Sequence, residues 1–235
     1  MDDRKLKRIL NDIYRRLFDR YGPQHWWPAG EPFEVIIGAI LTQSAAWTNV
    51  EKAILNLKNA GKLSPDAIRR LPEQELAGLI YPCGYYNIKA RKLKAFIKWF
   101  GEKYDDSLEK LFKNNIERTR RELLDVYGIG EETADSIILY AGNKPVFVID
   151  AYTRRIISRM GLAPHNNTYS DYQQLFMNYL QPDAALFNEY HALLVRLGKE
   201  TCRTHPSCGN CCLNVAGEPD NDYTEKHFPC VISTK

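Results

Sequence analysis

The 235-residue sequence has no apolar run that could cross a bilayer: the longest, around Val35 to Leu41, falls far short of the roughly eighteen residues a spanning helix needs. Nor is the charged start, MetAspAspArgLys, followed by an apolar segment of the secretory kind, so a soluble, unexported, cytoplasmic protein is expected. Strand alternation with hairpin signals is lacking too; ProValPheValIle at 145–149 is the best candidate, and its length and flanks leave it ambiguous. No internal repeat is found, which argues against repeat architectures. Charge of one sign is scarce: 32 Lys and Arg stand against 29 Asp and Glu, a net charge of +3. That balance permits nucleic-acid binding without demanding it, because phosphate contact depends on where the cations sit.

Hydrophobic residues make up 44% of the chain, enough for real cores. They recur at helical spacing over 5–18, 33–57 and 89–100, separated by Gly- or Pro-bearing breaks at 22–24, 28–32, 60–65 and 81–84. An all-α fold is expected. The tail after Cys212 lacks periodicity, and 216–223 reads as a surface loop. Six cysteines are present, four of them between Cys202 and Cys212; in an unexported chain of this length such clustering favours metal or cluster ligation over disulfides. Cys83 stands apart and reads as a buried small apolar residue. The basic run at 89–94 reads as a solvated helix face.

The most informative segment is 123–140, LeuLeuAspValTyrGlyIleGlyGluGluThrAlaAspSerIleIleLeuTyr. Gly128 and Gly130 interrupt a helical pattern, so the spacing predicts a helix, a tight turn and a second helix starting near Glu131. Amides at the start of that helix would attract an anion such as a DNA phosphate; the same glycines equally mark an ordinary helix corner. Asp150 precedes a helix expected from about Ala151 and reads as its N-cap. Trp26, Trp27 and Pro28 sit in a loop, unusual because large exposed apolar surface is normally avoided. They read as a plug between domains or as a stacking surface.

The GlyIleGly turn with GluGluThrAla, followed by ValPheValIleAspAlaTyrThrArgArgIle at 146–156, resembles the helix-hairpin-helix, Gly/Pro-rich loop and Asp signature of the endonuclease III superfamily of DNA glycosylases. The similarity extends upstream to 33–53 and downstream to the cysteines, and so covers most of the chain. It implies two helical domains, 26–144 as a helical barrel carrying the hairpin and 1–25 plus 145–235 with a C-terminal Cys-rich loop, with Asp150 in the cleft between them. Asp150 matches the catalytic carboxylate, and Gln43 matches the residue pushed into the duplex to fill the gap left by an extruded base; from local sequence alone it is as readily a polar residue at a helix end. Gly128, Gly130, Glu131 and Thr133 are the implied DNA contacts. The implied partner is double-stranded DNA with a damaged base, bound by a nucleoid-associated monomer.

Two departures refine the resemblance. Bifunctional members carry a lysine two residues after the second hairpin glycine, and this chain has Glu132, which cannot form a Schiff base. A monofunctional enzyme using water is implied, and the nearest lysine, Lys144, sits in a loop poorly placed to substitute. TrpTrpPro, PheGluVal, LeuThrGln and an aromatic four residues after the Gln, Trp47, look like the 3-methyladenine DNA glycosylase III branch. Alkylated purines are then the expected substrates, cationic bases that stack on Trp26, Trp27, Pro28 and Trp47. Mismatched uracil or thymine, another damaged base, and a non-catalytic DNA-binding protein are the competing readings.

Cys202, Cys208 and Cys211 resemble the family's iron-sulfur loop, one residue shorter in the first interval. A [4Fe-4S] cluster needs four thiolates, and Cys230 could close the set across the long loop, Cys212 being sterically less suited. Zinc in the same cage and a metal-free loop are the alternatives.

Overall fold

The computed structural model describes residues 2–214. In chain order its α-helices are α1 (Asp3–Tyr21), α2 (Pro32–Leu41), α3 (Trp47–Asn59), α4 (Pro65–Arg70), α5 (Glu73–Leu79), α6 (Tyr86–Tyr104), α7 (Leu108–Lys113), α8 (Ile116–Leu124), α9 (Glu131–Ser136), α10 (Ala151–Arg159), α11 (Tyr169–Met177) and α12 (Ala184–Glu200). No strand forms among the described residues, so the fold is all-α. None of these helices is long and apolar enough to cross a membrane. The chain divides into two compact units: one combines the N-terminal segment through Trp26 with the chain from Pro145 onward, and the other is Trp27–Lys144.

In the Trp27–Lys144 unit, α2 is buried on every side from Glu34 to Leu41, the pattern of a helix at the centre of a bundle. Helical periodicity over 33–57 suggested one continuous helix, but the chain breaks after Leu41 and restarts at Trp47. The Thr42 hydroxyl donates to the Gly38 carbonyl at 2.6 Å, and Ser44 adopts φ 51. Short hydroxyl side chains that bond the local backbone compete with helix continuation.

In the basic run on α6, Arg91 is exposed as the solvated-face reading expects, but Lys89 and Lys94 correct that reading. Lys89 is only 2% exposed, and its Nζ donates to the carbonyls of Leu41 (2.9 Å) and Cys83 (2.8 Å). Lys94 Nζ donates to the carbonyls of Ile68 (2.7 Å), Arg69 (2.9 Å) and Leu71. The ends of α2 and α4 therefore receive lysine ammonium groups, which satisfy orphan carbonyls and match the negative pole of the helix dipole. Burial lowers the pKa of both amines.

In the other unit, α1 buries Ile9, Leu10, Ile13 and Leu17 on one stripe, and the Tyr190 hydroxyl donates to the Leu10 carbonyl at 2.9 Å. The ambiguous 145–149 segment is neither strand nor helix; it runs through the core in an irregular conformation, with residues 146–149 buried. Phe147 stacks on Phe176 at 3.9 Å and meets Phe187 and Tyr190 edge-on. Side chains of α11 replace a sheet partner: Gln173 Nε2 donates to the Phe147 carbonyl, and the Ile149 amide donates to the Tyr169 hydroxyl.

Candidate active site

The expected hairpin is formed by α8, a turn and α9, which continues as a π turn over Ile137–Ala141. Gly128 needs to be glycine twice over: its φ is +83, and a Cβ there would collide with the aliphatic stem of Lys92. Gly130 caps α9 in an extended conformation with no side-chain bond to the first amides. Arg120 of α8 fastens the second helix, donating to buried Asp135 at 2.7 Å and to Glu131 at 3.1 Å.

Gln43 is brought onto this hairpin. Its Nε2 donates to the Gly128 carbonyl and to the Thr133 hydroxyl, both at 2.9 Å, and its Oε1 accepts from Lys92 Nζ. Glu132 is exposed on the first turn of α9. The amine of Lys144 donates to the Asn114 carbonyl.

Aromatic residues assemble a second feature of the same unit. Trp27 meets Trp47 edge-on at 5.0 Å and 88°, and lies 5.3 Å from Tyr140. Gly38 makes room for it, since an added Cβ would sit 2.9 Å from the Trp27 ring. A cavity of about 200 Å³ opens between Trp27, Pro28, Trp47, Glu34 and Glu51. Lys58 also lines it and pairs with Glu34 at 2.7 Å. Trp26 is not on this cavity and belongs to the other unit. Sequence reasoning missed Tyr140, which has no local signal. It also missed the exposed pair Tyr81 and Tyr85, at 63% and 69%, which an aromatic after Gly84 at a helix start could have flagged.

Asp150 caps α10: its Oδ1 accepts the Thr153 amide at 2.7 Å, and the residue is 9% exposed. The other carboxylate oxygen lies 3.8 Å from Nε2 of His191 on α12. Burial lowers the His191 pKa, against an opposing pull from Asp150.

Cys202, Cys208 and Cys211 line one small cavity of about 20 Å³ with Ile156, Met160 and Leu197. Arg155 and Arg159 of α10 hold this loop, donating to the carbonyls of Cys202 and Arg203 at 2.8 and 2.6 Å. Burial pushes the Cys211 thiol up and raises Cys212 to about 11. Cys212 does not line the cavity and feels Arg20 and Arg16 of α1. Among the described residues no group of three His, Cys, Asp or Glu side chains is placed to hold a metal ion, which bears equally on the zinc and the cluster readings. Three thiols around one apolar space are the donors a cluster requires in part; the fourth expected ligand, Cys230, lies outside the described residues.

Residues 37–182 match the HhH-GPD superfamily of base excision DNA repair proteins. A Methanocaldococcus jannaschii protein whose name assigns it to the DNA repair glycosylases is 43% identical over 90% of this chain and 96% of its own. Endonuclease III of Sulfolobus acidocaldarius is 29% identical over 76% of this chain and 78% of its own. Among solved structures, the H. pylori 3-methyladenine DNA glycosylase MagIII bound to 1,N6-ethenoadenine superposes with a TM-score of 0.72 at 28% identity, over 85% of this chain and 98% of that one. An endonuclease III trapped covalently on DNA shares the fold, with a TM-score of 0.73 at 20% identity over 90% and 93%. A hairpin with its glycine turn, an Asp that caps the helix after it and these matches together place the chain in the HhH-GPD superfamily of base excision DNA repair proteins, as a DNA glycosylase of the helix-hairpin-helix kind.

Proposed function

We propose that this protein is a monofunctional DNA glycosylase that hydrolyses the N-glycosidic bond of alkylated purines such as 3-methyladenine. The observation that carries the reading is the cavity walled by Trp27, Trp47, Pro28 and Glu51, with Glu34 already paired to Lys58 on the same wall. Indole faces and carboxylates both attract cations, and an alkylated purine is a cationic base. The resemblance to a 3-methyladenine glycosylase solved with a purine lesion supports the same substrate class.

As the base leaves, positive charge develops on the deoxyribose, and a fixed carboxylate stabilises it while orienting or deprotonating the attacking water. Asp150 supplies that carboxylate, its rotation limited by the Thr153 amide. Water is the nucleophile because Glu132 stands where a Schiff-base lysine would be and Lys144 is engaged with Asn114. The uncapped amides after Gly130 receive a DNA phosphate, and Gln43, Glu131 and Thr133 border that contact. Tyr81 and Tyr85 offer exposed rings to nucleobases. Cys202, Cys208 and Cys211, with Cys230, would hold a [4Fe-4S] cluster of structural role. The enzyme works on double-stranded DNA as a cytoplasmic, nucleoid-associated monomer.

The test is to incubate the protein with methylated duplex DNA and identify the released bases by chromatography. Release of 3-methyladenine above the spontaneous rate is expected, reduced in Trp47→Ala by roughly two- to thirtyfold, the loss of a cation-π contact of about 0.5 to 2 kcal/mol. Release of uracil or thymine alone from a mismatch panel refutes the substrate assignment, and DNA binding without any base release refutes the enzyme.

A further inference from the structure

The Asp150 carboxylate has two oxygens with different surroundings. Oδ1 is committed to the Thr153 amide at the head of α10, whereas Oδ2 faces His191 Nε2 at 3.8 Å. The two side chains are 12% and 9% exposed. Their separation is set by helix packing, because α10 and α12 are fastened to each other. Gly198 lets α12 approach the Tyr152 ring, where any Cβ would clash, and Arg155 Nη2 donates to the Gly198 carbonyl at 3.0 Å. A carboxylate bound at one oxygen can still swing its plane; the ring nitrogen, at 3.8 Å beyond hydrogen-bond range of Oδ2, is near enough to limit that swing electrostatically.

We propose that His191 is a positioning residue that fixes the plane of the Asp150 carboxylate through Oδ2. The proposal rests on the reading of Asp150 as the catalytic carboxylate. Burial lowers the ring's pKa from 6.5, so the imidazole is neutral at pH 7. A neutral ring with its proton on Nε2 orients the carboxylate without cancelling its charge, whereas an imidazolium would offset the charge that stabilises the oxocarbenium-like state. Asp150, from the head of α10, pulls the ring's pKa up against burial. Elsewhere on the flanking helices, Asp12 of α1 acts on Tyr190, and Arg154 and Arg155 of α10 lie over Tyr172 and Tyr152.

The experiment measures single-turnover base release from methylated DNA for the wild type, His191→Ala, His191→Gln and Asp150→Asn between about pH 5 and 8, beside Kd for duplex DNA and Tm. His191→Ala is expected to slow release roughly ten- to a hundredfold with Kd unchanged. His191→Gln, whose amide donates a hydrogen bond, restores most of the rate. The wild-type rate falls as pH drops through the His191 pKa, and that limb is absent in His191→Gln. A wild-type rate in His191→Ala, with Asp150→Asn inactive, overturns the positioning role and leaves Asp150 in place. Equal losses in His191→Ala and His191→Gln with weakened DNA binding and lowered Tm also overturn it, as signs of a packing role. An active Asp150→Asn overturns both readings.

Discussion

Asp150 carries two duties that substitution can pull apart: it caps α10 and it brings a negative charge. Capping needs only a short side chain with an acceptor oxygen, so Asn and Ser can replace Asp there, whereas Ala cannot. The bond at stake is Oδ1 to the Thr153 amide at 2.7 Å, in a position only 9% exposed. Losing such a cap costs about 1 to 2 kcal/mol, which for a chain of this length lowers Tm by about 2–8 °C. Asp150→Asn and Asp150→Ser should therefore melt within about 2 °C of the wild type, and Asp150→Ala should fall below both. Activity should follow a different order. Only the parent residue holds a carboxylate, so all three variants should lose excision of methylated bases by roughly 10²- to 10³-fold, the scale of one preorganised electrostatic contact. The assays are thermal unfolding by circular dichroism and single-turnover base release on one set of proteins. If excision declines in the order of melting temperature, with Asp150→Asn and Asp150→Ser active and Asp150→Ala inactive, the carboxylate is a cap and nothing more, and the proposed chemistry is wrong.

Other perturbations test separate parts of the site. Borohydride should trap no enzyme–DNA adduct with the wild type, and Glu132→Lys should yield one, because it restores an amine at the hairpin position; an adduct with the wild-type chain contradicts the water mechanism. Lys89→Met keeps the stem but removes two hydrogen bonds to the Leu41 and Cys83 carbonyls, so Tm should drop by about 4–8 °C, for a cost of about 2 kcal/mol; no change would mean that this lysine is as dispensable as a solvated one. Burial pushes the Glu122 pKa up, but hydrogen bonds from Tyr104, Arg118 and Lys103 overcome it and hold the carboxyl at about 2, below its ordinary 4.5. Its stabilisation is complete above the unfolded value and is lost as pH falls through the folded one, so Glu122→Gln should flatten the stability profile between 4.5 and about 2, read by urea midpoints across that range.

Much of the fold was legible because amphipathic helices such as α1 and α10 bury one stripe, and α1 stops at Gly22 and α4 just before Pro72, signals that operate over a few residues. The errors arose where distant residues decided the outcome. The apolar spacing through 33–57 is continuous, but Thr42 and Ser44 turn the chain between α2 and α3. Local composition at 145–149 cannot separate strand from helix, and the segment takes neither form, because Gln173 and the Tyr169 hydroxyl of α11 meet its backbone. Lysines 89 and 94 looked solvated because a cation's usual partner is water. Here their targets are the carbonyl ends of α2 and α4, which precede them by tens of residues, and no periodicity announces that match.

The functional residues divide on the same line. Gly128 was legible because its positive φ is a local demand of the turn, although the second demand, the Lys92 stem packed across it, was not. Asp150 was legible as a cap from its neighbours and as a catalytic candidate from resemblance, yet neither reading pointed to His191, which lies 41 residues further along the chain on α12. A histidine among Leu193, Leu194 and Ala192 looks like filler until α10 is packed beside α12. Chemistry written by one residue and its immediate chain neighbours can be read from a sequence. Chemistry that depends on how a second helix aims a side chain at it requires the fold, and the orientation of the proposed catalytic carboxylate belongs to that second kind, since cap geometry fixes one oxygen and leaves the other to tertiary packing.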